Sequence, residues 1–376
     1  LNILSNAVIS DAAELEQVSV HWKQQPVLGV DTEFYHTNTF YPITCLYQVS
    51  DGERCYLIDP LGIGDLTPFV QLLRNRTTIK VFHSCWSDLR IFHSAIDTMP
   101  VNLFDVQMAA AFCGERYQSS YADLVHKYLH LRLPKTETCS DWRKRPLSRS
   151  QIRYAQDDVN YLPELYAVFS ERLRTLGRLS WYQEEMHSRL QTAIPPGVEN
   201  YYRTSGKFVG LKGAAVCRFQ QLCKWRETTA RKRNMPRNWL MTDAQLSEFA
   251  RQHKPVLKEV KKVPQGIRRR YGAILNDIWQ RASRIESEKW PQPVSRFSIH
   301  TDQWQELRQL AENRAKELQL PIELLLRKRM LDELMISLRD HDRPTASFDG
   351  WRRVALGEKF LYLTKTYVDM KRSFES

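Results

Sequence analysis

The sequence predicts an α/β domain with a mixed sheet flanked by helices, followed by two all-α helical domains. Three observations carry that prediction. A strand hairpin near the start gives way to strands alternating with helical patterns up to about residue 176. Beyond Pro195-Pro196-Gly197, which breaks the pattern, the periodicity is helical only. The two C-terminal blocks then repeat at an offset of 85 residues: Leu222, Ala230, Pro236, Leu240 and Leu246 fall on Leu307, Ala315, Pro321, Leu325 and Leu331. The expected division is 1–190 for the α/β domain, 191–205 for a linker, 206–288 for the first helical domain, 289–297 for a second linker and 298–376 for the second helical domain.

Taken in order, residues 11–25 form a short amphipathic helix through Leu15, Val18 and Trp22. Val27–Phe34 is a strand. Ile43–Ser50 and Arg54–Asp59 pair as a hairpin across Asp51-Gly52, because glycine tolerates positive φ. Ile79–Phe82 is a fourth strand, running into a helix through Leu89, Phe92 and Ile96, and Val101–Phe104 is a fifth. A helix follows to Cys113, and two more cover about 120–130 and 148–176. The last opens on Ser148-x-x-Gln151, a capping-box pattern, with an apolar stripe through Ile152, Ala155, Val159, Leu162, Tyr166, Phe169 and Leu173. Pro163 inside it predicts a kink or a freed Val159 carbonyl.

A chain of 376 residues allows a sizeable core in several domains. No run approaches ~18 apolar residues, so no membrane span is expected. No basic-then-apolar leader opens the chain. It begins on Leu1 rather than Met and is expected to lack its original first residues. Seven scattered cysteines without a Cys-x-x-Cys pair read as reduced thiols, which predicts a cytoplasmic protein and argues against a zinc site. The net charge of +12 is unevenly spread: residues 1–197 balance at −3, whereas 203–297 hold 22 basic and 7 acidic residues. That segregation predicts a polyanion-binding module beside a separate acidic site.

The acidic site begins in the first strand, Val27-Leu-Gly-Val-Asp31-Thr-Glu33-Phe34. Side chains alternate along a strand, so Asp31 and Glu33 share one face, where like charges repel unless a divalent cation offsets them. Asp88 opens the helix after the fourth strand, and Tyr154-Ala-Gln-Asp157-Asp158 lies on the last helix. At about 100° per residue, Asp158 lies roughly 70° from the centre of the apolar stripe and Asp157 roughly 170°. Asp158 therefore points toward the sheet, Asp157 faces solvent, and Tyr154 sits one turn before Asp158 on the same flank. His83, directly after a strand, is expected to be structural rather than a general base. Asp105 is expected to cap the next helix. Arg143, Lys144 and Arg145 either order the loop before Tyr154 or touch substrate phosphate.

These residues carry a resemblance. Val-Asp31-Thr-Glu33-Phe, His83-x4-Asp88-Leu and Tyr154-x3-Asp158 resemble the three motifs of the DEDD exonuclease superfamily in its tyrosine branch. Leu57-Ile-Asp-Pro-Leu-Gly62, Ala110-Ala-Phe-Cys-Gly114 and Asp141-Trp-Arg-Lys-Arg-Pro-Leu147 narrow it to the ribonuclease D family, and the two helical blocks resemble the HRDC domains that family carries. The resemblance implies a ribonuclease-H-like exonuclease domain and 3′→5′ hydrolysis of RNA, with trimming of tRNA precursors and other structured 3′ ends. It makes Asp31, Glu33, Asp88 and Asp158 the carboxylates of two divalent cations, Mg²⁺ or Mn²⁺, with Asp31 bridging them. Glu33 and Asp158 complete one metal site, and Tyr154 orients the attacking water. Hard oxygen ligands suit those ions better than zinc. Two other readings share the acidic positions: a DNA-proofreading exonuclease, which normally accompanies a polymerase domain, and an inactive RNA-binding protein.

The basic block concentrates its charge in Arg231, Lys232 and Arg233, in Lys258, Lys261 and Lys262, and in Arg268, Arg269 and Arg270. These are the expected phosphate contacts. Trp225, Trp239 and Tyr271 lie among them; core packing is the favoured reading, stacking on bases the other. A monomer is expected.

Overall fold

The computed structural model describes residues 8–134, 140–292 and 299–375. The α/β part runs β1 (Val8–Ile9), α1 (Ala12–Trp22), β2 (Val27–Tyr35), β3 (Ile43–Ser50), β4 (Cys55–Ile58), α2 (Thr67–Arg74), β5 (Ile79–Phe82), α3 (Trp86–Ile96), β6 (Leu103–Asp105), α4 (Val106–Phe112), α5 (Tyr121–Leu129), α6 (Arg149–Asn160), α7 (Leu162–Thr175) and α8 (Leu179–Leu190). The strands form one sheet in the order β1-β4-β3-β2-β5-β6. Pairs β2–β3 and β3–β4 are antiparallel, and β1–β4, β2–β5 and β5–β6 are parallel. The mixed sheet is the one expected. At the β3–β4 turn, Gly52 takes φ +92° and Asp51 Oδ1 accepts from the amides of Glu53 and Arg54 at 2.9 and 2.7 Å.

The differences from the sequence reading have local causes. β6 begins at Leu103, later than expected, because Asn102 turns the chain at φ +52°. The single helix over 148–176 is two helices: α6 ends at Asn160, Tyr161 separates them, and Pro163 sits in the first turn of α7, where a missing N–H costs nothing. β1 is too short to announce itself. Helix α8 carries no clear apolar stripe in the sequence because its buried face is partly polar, made of Tyr182, Glu185 and Met186. Helix α2 starts on Thr67-Pro68 and buries Phe69, Leu72 and Leu73.

By contact the chain divides into two units: Leu1–Tyr35 with Pro42–Ile194 and Ser298–Ser376, and His36–Tyr41 with Pro195–Phe297. The second unit holds α9 (Ala214–Arg233), α10 (Arg237–Leu240), α11 (Asp243–Arg251) and α12 (Gln265–Ser283) around a core that includes Phe219, Leu222, Leu246 and Leu275. Part of the stretch expected as a linker belongs to that core, since Tyr202 is buried against Phe208. The short segment following β2 belongs to this unit as well: the amides of Phe40 and Tyr41 both donate to Asn234 Oδ1 at 3.0 Å.

The last block, grouped with the α/β residues, runs α13 (Thr301–Leu318), α14 (Ile322–Leu325), α15 (Lys328–His341), α16 (Trp351–Leu356) and α17 (Glu358–Glu375). The repeat is visible in its backbone. α9 and α13 end on left-handed residues, Asn234 and Gln319, followed by Pro236 and Pro321 and then by the four-residue helices α10 and α14. All four repeated apolar pairs, from Leu222/Leu307 to Leu246/Leu331, are buried. Among the described residues six cysteines are free thiols; Cys139 lies outside them, as does most of the second expected linker.

Candidate active site

Strand β2 lies in the sheet between β3 and β5, and its C-terminal half carries Asp31 and Glu33, paired with Gln48 and Leu46 of β3. Upstream, Gly29 lets the α6–α7 junction lie directly on the strand. A Cβ there would stand 2.6 Å from the Val159 carbonyl oxygen and 2.9 Å from Leu162 Cβ. A glycine inside a strand marks such a close approach. The absence of one methyl group thus sets the distance between β2 and the helix bearing Asp158.

Asp88 lies in the first turn of α3 and is buried, accepting a 2.6 Å hydrogen bond from the Thr32 hydroxyl and another from Asp31. The start of α3 is held from below. The Cys85 amide donates to Asp105 Oδ2 at 2.8 Å, and the Asp105 amide donates to the Tyr182 hydroxyl at 2.8 Å. Asp105 also caps α4 through Met108 N at 2.9 Å, the role expected of it.

Helix α6 opens on the expected capping box of Ser148 and Gln151. Four residues apart, Tyr154 and Asp158 are joined by a side-chain hydrogen bond, and the Tyr154 ring lies 6.1 Å from that of buried Trp142. Tyr121 of α5, which sequence reasoning passed over, spans the end of α6: its hydroxyl donates to the Asp157 carbonyl at 3.2 Å and accepts from Tyr161 N at 3.3 Å. Asp157 is not the solvent-facing residue expected. Its side chain is 20% exposed and 3.9 Å from Arg153. Its carboxylate is close enough to Cys55 of β4 to raise that thiol, so the sheet reaches further round α6 than the apolar stripe alone predicts.

The structure therefore brings Asp31, Glu33, Asp88, Asp158 and Tyr154 into one cluster. Burial is the largest influence on each carboxyl, and at Asp31 and Glu33 repulsion from the other members of the cluster adds to it. Asp31 is pushed well above the ordinary range by burial, Asp88, Asp158 and Glu33; Glu33 rises to about 8 through burial, Asp158 and Asp88. Asp88 and Asp158 rise to about 7, burial outweighing the hydrogen bonds from Thr32 and from Tyr154. Two carboxylates at ~4 Å repel by roughly 4 kcal/mol at an effective dielectric constant of ~20, so the four together need protons or cations. The donors are hard carboxylate oxygens, which fits Mg²⁺ or Mn²⁺. Among the described residues no three His, Cys, Asp or Glu side chains already stand in metal-ligating geometry.

Of the neighbours, His83 Nε2 donates to the Ser119 carbonyl at 3.0 Å and its ring lies 5.7 Å from Tyr121, a structural position. Arg145 orders its loop, binding Asp59 Oδ2 at 2.5 Å and the Cys45 carbonyl at 2.7 Å. Arg143 packs on Tyr35 at 3.7 Å and pairs with Asp141 at 2.8 Å. In the second unit Lys232, Arg233, Lys258, Lys261, Lys262, Arg269 and Arg270 are exposed. Arg231 and Arg268 are half-buried, Arg231 lying 5.2 Å from the Phe40 ring and Arg268 donating to the Val260 carbonyl at 2.9 Å. Tyr271 is buried and Trp225 packs on the core, as favoured, but Trp239 is 53% exposed.

Comparison with known proteins agrees with this architecture. The family model described as a 3′-5′ exonuclease matches residues 6–174, and the HRDC domain model matches 217–278. Ribonuclease D of Pseudomonas paraeruginosa is 36% identical over 364 residues, covering 94% of this chain and 96% of that one. Ribonuclease D of Musicola paradisiaca is 30% identical, covering 94% and 97%. The crystal structure of Escherichia coli RNase D, described as an exoribonuclease involved in structured RNA processing, superposes with a TM-score of 0.86 at 26% identity, covering 97% of this chain and all of that one.

Proposed function

We propose, from the premise that this chain belongs to the ribonuclease D family and is a metal-dependent 3′→5′ exoribonuclease, that Asp31, Glu33, Asp88 and Asp158 hold two divalent cations and that Tyr154 orients the attacking water. The convergence of four acidic side chains from β2, α3 and α6, each raised by burial and two of them, Asp31 and Glu33, also by the other carboxylates of the cluster, supports this assignment. Bound Mg²⁺ or Mn²⁺ supplies positive charge to the phosphodiester and makes a water acidic enough to attack near neutral pH. Burial and Asp158 push the Tyr154 phenol above its ordinary range, so it stays protonated and serves as a hydrogen-bond partner for that water rather than as a base.

The substrates are 3′ trailers of tRNA precursors and other structured RNA 3′ ends. The exposed cations of the second unit, Lys232, Arg233, Lys258, Lys261, Lys262, Arg269 and Arg270, grip phosphate, with Arg231 and Arg268 contributing from half-buried positions. Residues 1–190 form the exonuclease domain, 206–288 the first HRDC domain and 298–376 an HRDC-like module, the shared backbone of α9–α11 and α13–α15 supporting that last assignment. The protein acts as a cytoplasmic monomer; no helix among the described residues is long and apolar enough to cross a membrane.

Digestion of one RNA sequence labelled at its 3′ or its 5′ end, beside the same sequence as DNA, tests this reading. The 3′ label is expected to leave first as mononucleotide, with Mg²⁺ or Mn²⁺ and not with chelator, and RNA is expected to be preferred. Release from the 5′ end, or undiminished hydrolysis by the Asp31→Asn variant, would overturn it.

A further inference from the structure

Helix α8 has two working faces, and the mechanism above uses neither. One face receives the C-terminal block. Arg352 Nη2 lies 2.7 Å from Glu185 Oε2, and the Trp351 indole N–H donates to the same oxygen at 3.2 Å. The Trp351 amide donates to the Glu184 carboxylate at 2.9 Å, and its ring lies 5.7 Å from Trp181. Glu185 and Arg352 are both 2% exposed, so these are buried charges, costly to leave unpaired. Arg352 is further anchored by donating to the Leu324 carbonyl at 2.9 Å.

The other face holds the start of α3. Glu185 Oε1 pairs with Arg189 Nε at 2.5 Å, and the Arg189 guanidinium lies 5.8 Å from the ring of Trp86, two residues before Asp88. One turn earlier, the Tyr182 hydroxyl accepts from the Asp105 amide, and the Asp105 carboxylate holds the Cys85 amide. Glu185 is thus the hinge pin: one oxygen faces Arg352 and Trp351, the other faces Arg189 and the helix bearing Asp88.

We propose that Trp351 and Arg352 of the C-terminal block are positioning residues for the metal site, acting through Glu185, Arg189 and the start of α3 to hold Asp88 beside the other carboxylates of the cluster. The block 298–376 is then part of the exonuclease machinery in addition to any contact it makes with RNA. The inference rests on the metal-site reading above.

The test uses the full chain. Mn²⁺ binding is measured by calorimetry for the parent and for Arg352→Met, Arg352→Lys and Glu184→Gln, together with amide exchange of residues 84–89 and single-nucleotide release from an RNA oligomer. Arg352→Met is expected to bind Mn²⁺ about tenfold more weakly, to exchange faster at 84–89 and to lose about tenfold in kcat with KM unchanged. Arg352→Lys is expected to recover most of each, and Glu184→Gln, an exposed position, to show the same pattern more weakly. If Arg352→Met does not fold, Glu184→Gln carries the test, and parental Mn²⁺ affinity and exchange in it would overturn the proposal. So would an Arg352→Met protein that melts earlier yet binds Mn²⁺ and turns over like the parent. A parent that binds no Mn²⁺ would instead refute the metal-site reading.

Discussion

Gly29 and Val159 approach so closely that a single methyl group on the glycine would stand 2.6 Å from the Val159 carbonyl oxygen. Backbone cannot give way as a flexible side chain can, so Gly29→Ala must push the α6–α7 junction off β2. Overpacking of this kind costs about 1–3 kcal/mol. The substitution is expected to lower stability by that amount in urea titration and to reduce kcat beyond what the lost folded fraction explains, since Asp158 moves with the junction. Parental kcat in the folded variant would show that this spacing is not critical.

The acidic cluster predicts a dependence of stability on pH with a definite sign. Glu33, Asp88 and Asp158 have folded-state values near 7–8, above their ordinary values, so their contribution is fully present at low pH and is lost as pH rises through that range. Buried His83, whose value is lowered, acts in the opposite sense below about pH 6.5, which leaves about pH 6.5–8.5 as the clear window. In chelator, the melting temperature is expected to fall across that window. Mn²⁺ is expected to raise it more at the alkaline end, where the carboxylates no longer hold protons.

Asp31→Asn separates stability from function. Removing one of four mutually repelling groups is expected to raise the melting temperature in chelator at about pH 8 while abolishing hydrolysis and largely sparing RNA binding. A lowered melting temperature there would mean that Asp31 is held by favourable contacts instead.

Thr32 offers a subtler probe. Thr32→Val keeps the shape but deletes the 2.6 Å hydrogen bond to Asp88, a loss of about 1–3 kcal/mol for a bond to a charged group. Mn²⁺ affinity is expected to fall roughly five- to a hundredfold, read by calorimetry, with RNA affinity in chelator unchanged.

For the basic unit, replacing Lys258, Lys261 and Lys262 with Gln is expected to flatten the dependence of log affinity on log salt by about 2, at roughly 0.7 per phosphate contact on single strands. An unchanged slope would move the grip elsewhere.

Read alone, the chain determined the mixed sheet, the hairpin at Asp51-Gly52, the repeat between the helical blocks and the five residues of the cluster. Each rests on a short-range regularity: strand alternation, helical period, capping chemistry or a motif's spacing. Tertiary structure decided what those regularities do not encode. Tyr161 separates α6 from α7 where one helix, kinked or with a freed Val159 carbonyl, was expected, and Asp157 lies near Cys55 of β4, because a helix's surroundings come from elements distant in sequence. Helix α8, with a buried face of Tyr182, Glu185 and Met186, carries little apolar signal; its contacts, Tyr182 with Phe104 and Phe112 and Glu185 with Arg352, come from elements distant in sequence. Gly29, Thr32 and Tyr121 look ordinary in the chain. Their importance arises from partners 56 residues away for Thr32 and 36 for Tyr121, a separation that only the folded packing brings to hydrogen-bond range.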